Sequence, residues 1–117
     1  MVRRVIATLA LLALTTVAGN ATGEGIVQNL NAKVASLRVG HSTFEVEVVL
    51  GPPGSIAGRR GNVAYLYCEE LAQDTLYATV FFVDGAFHSA VVERRGEVIR
   101  PCVRGFGRVD WDALPTD

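Results

Sequence analysis

Asp84-Gly85 stands between two runs whose apolar residues alternate, and that arrangement constrains the chain more than any other feature in it. A two-residue type I′ turn needs positive φ at both central positions, which Asp and Gly tolerate and most residues do not. Thr75–Val83 and Ala86–Glu93 are therefore predicted to be antiparallel neighbours. Leu76, Ala78, Val80 and Phe82 fall on one face of the first run, and Tyr77, Thr79 and Phe81 on the other. Strict alternation in the second run puts His88, Ala90 and Val92 on one face and Phe87, Ser89 and Val91 on the other. Asn62–Cys68 has the same period, with Val63, Tyr65 and Tyr67 opposite Ala64, Leu66 and Cys68. Glu69 to Asp74 reads as a polar connection. Arg94 to Glu97 reads as a further turn leading to a short edge strand, Val98–Arg100, which Pro101 limits because proline cannot donate to a ladder. Pro52 to Gly61, with two Pro, three Gly and the adjacent Arg59 and Arg60, reads as a loop. A phosphate cradle there would need a P-loop lysine, a hydroxyl and a preceding strand, none of which it has.

Upstream the period lengthens. Ile26, Leu30, Val34 and Leu37 fall four, four and three apart, the stripe of a helix over Ile26–Leu37. Gly40 ends it. Ser42 followed three residues later by Glu45 has the form of a capping box, in which each residue satisfies a backbone N–H of the other. Val46, Val49 and Leu50 then lie on one helical face, and Gly51-Pro52 forms a stop. Phe44-Glu45-Val46-Glu47-Val48 also alternates, so these residues alone leave helix and strand both open. The fold class is α+β: two short N-terminal helices packed on a three- to four-stranded antiparallel sheet.

Half the 117 residues are hydrophobic, but part of that content reads as an address. Arg3 and Arg4 precede an uncharged run from Val5 to Ala18 that ends in small residues, the pattern of a secretion signal. Fourteen residues would span about 21 Å as a helix, short of a ~30 Å hydrocarbon core. Residues 1–18 are thus expected to be a signal peptide, cleaved after Ala18 or, alternatively, Ala21. No transmembrane segment is expected after its removal. No cysteine follows the run, so no lipid-anchored terminus is expected and the product reads as exported, periplasmic or secreted, and soluble. Residues 19–25 are small and polar and read as a flexible mature N-terminus. Without Arg3 and Arg4, nine basic residues face twelve acidic ones, a net charge of −3 that argues against nucleic acid as a partner. The two cysteines, Cys68 and Cys102, are expected to form a disulfide, with buried free thiols as the alternative.

Leu37-x-x-Gly40-x-Ser42-x-x-x-Val46-x-x-x-Leu50-Gly51-x-Pro53 resembles the signature of the SmpA/OmlA (BamE-like) family of small outer-membrane assembly lipoproteins. Tyr65 and Tyr67 stand where such domains carry an aromatic strand, and Phe82-Val83-Asp84-Gly85 resembles their second hairpin. The resemblance covers Leu37 to Glu93 and makes Gly40, Ser42, Val46, Leu50, Gly51 and Pro53 a fold signature. It implies a domain over residues 26–103 with a tail over 104–117, a helical reading for the opening element, a cell-envelope location and binding rather than catalysis. The same unit is similar to the repeat of secreted β-lactamase-inhibitor proteins, which implies the alternative of an inhibitor module acting on an enzyme. The anchor cysteine of the lipoproteins has no counterpart here.

Catalytic, cofactor and metal sites are not expected. His88 and Ser89 are adjacent on a strand and should point to opposite faces, which argues against a hydrolytic pair with Asp84. His41 reads as an exposed loop residue, and Glu69-Glu70 with Asp74 as a solvated acidic turn. Five of the nine mature basic residues, Arg94, Arg95, Arg100, Arg104 and Arg108, lie in the C-terminal segment. The plainer reading is a solvated edge that resists strand pairing. The functional reading makes Arg94, Arg95, Arg100 and Trp111 a binding face for an envelope protein partner or for anionic lipid, since Arg suits bidentate anion contacts and Trp is enriched in interface hot spots. The tail is open to two readings, a strap packed on the sheet or a mobile end.

Overall fold

A computed structural model describes residues 24–114. The signal peptide expected over 1–18, most of the stretch expected to be flexible over 19–25 and the last three residues lie outside the described residues. The elements run α1 (Leu30–Ala35), α2 (Thr43–Leu50), β1 (Ser55–Arg59), β2 (Asn62–Glu70), β3 (Thr75–Val83) and β4 (Ala86–Arg95), followed by single 3-10 turns at Cys102–Gly105 and Trp111–Ala113. The strands form one antiparallel sheet in the order β1-β2-β3-β4. The fold is α+β, with both helices between residues 30 and 50.

β3 has the predicted bounds, and the turn after it has positive φ at both Asp84 and Gly85. A second turn of the same kind, Arg60-Gly61, joins β1 to β2. This corrects the loop expected over Pro52–Gly61. The Pro and Gly residues there end α2 and turn the chain, while Ser55–Arg59 pairs with the edge that β2 would otherwise leave open. The edge strand expected at Val98–Arg100 is irregular backbone instead, and β4 runs on through Arg95.

α1 is shorter than its stripe. Ile26 forms a parallel bridge to Cys68, and Asn29 is left-handed, so the helix begins only at Leu30. Its first N–H groups are satisfied from a distance. The Glu69 carboxylate accepts from Asn29 N at 2.9 Å and Leu30 N at 3.0 Å. In α2 the capping box is present: Glu45 N donates to Ser42 Oγ at 3.1 Å, and Ser42 N donates to Glu45 Oε1 at 2.8 Å. Eight residues are too few for a stable isolated helix. The cap contributes about 1 kcal/mol, and burying Val46 and Leu50 contributes roughly 1.5–3 kcal/mol each.

Both faces of the sheet are covered. On one, α1 and α2 close over Tyr65, Tyr67, Leu76, Ala78, Val80, Phe82 and Phe87. On the other, residues 99–114 lie as a strap across Cys68 and Tyr77 at one end and Ala64 and Phe81 at the other. The alternation predicted for β4 fails at one residue. Phe82 pairs with Phe87 but Phe81 pairs with Ser89, so His88 is a bulge. The extra residue turns Phe87 to the helix side, where it joins Ala90 and Val92.

Candidate interaction surfaces

The strap is held by covalent, polar and aromatic contacts. Cys68 and Cys102 form the expected disulfide, with both cysteines fully buried. Cys102 N donates to Glu70 Oε2 at 2.8 Å, and Tyr77 Oη donates to Cys102 O at 2.9 Å. Burial raises the Tyr77 phenol above its usual pKa, opposed by the neighbouring Arg95. The Arg95 guanidinium stacks 4.3 Å from the Tyr77 ring centroid and donates to Gly105 O at 2.8 Å. Gly105 admits no side chain: a Cβ there would sit 2.0 Å from Tyr77 Oη. Phe106 packs edge-on to Tyr77 at 5.9 Å, and Trp111 lies 5.8 Å from Phe81.

These contacts decide where the expected binding residues lie. Arg95 anchors the strap. Arg94, next to it in the strand, points to the opposite face and pairs with Asp74. Arg100 Nη2 donates to Leu71 O at 2.9 Å, and Trp111 packs inward on the sheet. The four residues do not share one surface. Glu69 and Glu70, read as a solvated turn, are instead the cap of α1 and the acceptor for Cys102 N. Their roles had no local signal, since their partners are more than thirty residues away.

The His88 bulge also overturns the argument from opposite faces. His88 Nδ1 lies 3.1 Å from Ser89 Oγ. Among the described residues no carboxylate hydrogen-bonds that imidazole, and no three His, Cys, Asp or Glu side chains gather as metal ligands. No described helix is long and apolar enough to cross a membrane.

Two other surfaces are left open by the packing. On α2, Val46 and Leu50 face the core, so Phe44 and Val48, four residues apart, project away from it with exposures of 74% and 70%. Val39, before the helix, is 80% exposed. Glu45 and Glu47 flank this stripe. The Ser42 N–H holds the Glu45 carboxyl below its usual pKa, and Tyr65 Oη donates to Glu47 Oε2 at 2.9 Å. Burial, then that carboxylate, raise the Tyr65 phenol. On the strap side, a groove of about 560 Å³ runs between β1 and residues 107–112, lined by Ser55, Ala57, Arg59, Arg108 and Trp111. Compared with known proteins, the chain matches no family model, no curated protein and no solved structure.

Proposed function

We propose that the chain is an exported, non-enzymatic binding domain of the cell envelope, of SmpA/OmlA (BamE-like) type, which engages a protein partner through the outer face of α2 and contributes to outer-membrane assembly or envelope maintenance. The observation that carries the reading is the Phe44–Val48 pair. Two large apolar side chains face water on a helix whose inner face is already packed, and such a stripe rimmed by carboxylates fits an apolar partner surface with basic edges. The capped helix, the aromatic strand β2 and the hairpin at Asp84-Gly85 support the family resemblance at the level of pattern. The buried disulfide supports folding in an oxidising compartment.

The test is site-specific photocross-linking of the full chain expressed in a Gram-negative host. A photoreactive residue at Phe44 or Val48 should yield an adduct with a defined envelope protein. The same residue at Gln73, in the β2–β3 turn, should not. Mass spectrometry of the exported product should show removal of residues 1–18. Adducts equally strong at all three positions, or a chain that keeps residues 1–18 and stays in the cytoplasm, would sink the proposal. Inhibition of a β-lactamase by the purified protein would transfer the reading to the inhibitor class.

A further inference from the structure

β1 is a sheet edge whose outer side has a defined pattern. Leu66 O accepts from Gly54 N, and Cys68 exchanges hydrogen bonds with Gly25 and Val27. The even-numbered residues of β2 therefore turn their backbone groups toward the β1 side. Bonded and non-bonded pairs alternate along an antiparallel ladder. With Ile56 opposite Tyr65 and Gly58 opposite Val63, the N–H and C=O of Ile56 and Gly58 point outward. Among the described residues nothing pairs with these four groups. Ile56 is 61% exposed on the helix side of the sheet. Ser55, Ala57 and Arg59 face the strap-side groove, which Asp110 and Asp112 also line. Among the described residues neither aspartate has a cation within 4 Å.

We propose that this edge pairs with β1 of a second copy of the chain, antiparallel about a two-fold axis at Ala57. Only in that register do all four outward groups of each copy meet those of the other, as two reciprocal Ile56–Gly58 pairs. Each exposed Ile56 then lies over the space where Gly58 of the other copy has no side chain. Each Arg59 falls opposite Ser55 of the other copy, at the groove that Asp110 and Asp112 line, so a guanidinium meets carboxylates, none of them ion-paired among the described residues. A foreign strand would have to reproduce the β1 order of small, branched, small, empty and cationic positions to fit as well. The contact is isologous and closed, and it joins the two sheets into one of eight strands. It is also short, so association is weak and concentration-dependent.

Sedimentation of the unmodified protein from micromolar to millimolar concentration should show a monomer–dimer equilibrium. Ala57 would meet its own copy as a non-bonded pair with Cα atoms about 4.5 Å apart, within the ~4.4–6.8 Å range of disulfides. Ala57→Cys should therefore cross-link under mild oxidation. Ser55→Cys, about 14 Å from its symmetry mate, should not. Ile56→Lys should weaken association about tenfold or more, through two lost apolar contacts. Arg59→Glu and Asp112→Arg should each weaken self-association, and a 1:1 mixture of the two should restore it, because each copy then complements the other. A monomer at every concentration, equal cross-linking of the two cysteine variants, or no restoration in the mixture would overturn the proposal.

Discussion

Replacing both Cys68 and Cys102 with alanine removes the covalent tie between β2 and the strap. The pair is 34 residues apart in sequence. In the chain-entropy treatment a loop of this length restricts the unfolded chain by about 13 cal/mol/K, or ~4 kcal/mol at 25 °C. Both cysteines are fully buried among Tyr77, Ile26, Ile99, Val103 and Phe106, so truncating them also removes packing and adds to the loss. With a urea slope of roughly 1.5 kcal/mol/M, the midpoint should fall by about 2.5 M. Two probes separate the strap from the sheet. Trp111 is the only tryptophan in the chain and sits on the strap against Phe81, so its fluorescence reports docking. Far-UV circular dichroism reports the sheet. In the oxidised protein the two signals should change together. In the double variant Trp111 should respond at lower urea than the sheet, because only non-covalent contacts then hold the strap. Urea titrations followed by both signals decide the matter. A double variant within about 0.5 kcal/mol of the parent, with coincident transitions, would refute the assignment of the bridge as the principal clamp.

The neighbouring arginines should separate cleanly in the same assay. Arg95→Ala loses a stacking contact and a hydrogen bond to Gly105 O and should cost about 1–2 kcal/mol, whereas Arg94→Ala, which breaks an exposed ion pair with Asp74, should cost well under 1 kcal/mol. Gly105→Ala should destabilise by roughly 1–3 kcal/mol through collision with Tyr77 Oη, and Tyr77→Phe in the same chain should recover part of that loss. Ser42→Ala should cost about 1 kcal/mol by leaving the α2 N-terminus uncapped, read as a lower urea midpoint without change in slope. Tyr65, Tyr67 and Tyr77 all have phenols raised above their usual pKa by burial, so folding favours their neutral forms. Their contribution is complete below the unfolded value near 10 and is lost as pH rises past it. The urea midpoint should be flat with respect to these groups from pH 7 to 9 and fall above about pH 10, with a shallower fall in Tyr67→Phe.

The parts of the fold that were legible in the sequence rest on local physics. The Asp84-Gly85 turn, the bounds of β3 and the Ser42–Glu45 cap each involve residues close enough in sequence to satisfy one another. The cysteine pair was legible for a different reason, because two thiols in a sequence that reads as exported have few other expected uses. What the pattern hid depended on distant partners. β1 is a strand because β2 has an edge to fill, although its flanks are rich in Pro and Gly. One inserted residue at His88 moved Phe87 to the other face and brought His88 beside Ser89, which no count of alternating positions can anticipate. The arginine-rich segment shows the remaining limit. Its composition correctly marks a concentration of cations, but adjacent residues of a strand point to opposite faces, so Arg94 and Arg95 cannot belong to one patch however close they stand in the chain. Parity alone could have divided them. That Arg95 takes the inward role follows from what lies on its side, the Tyr77 ring and a strap that needs a donor for Gly105 O. The surfaces that the packing leaves unpartnered include the outer face of α2 and the free edge of β1, and neither lies in the arginine-rich segment.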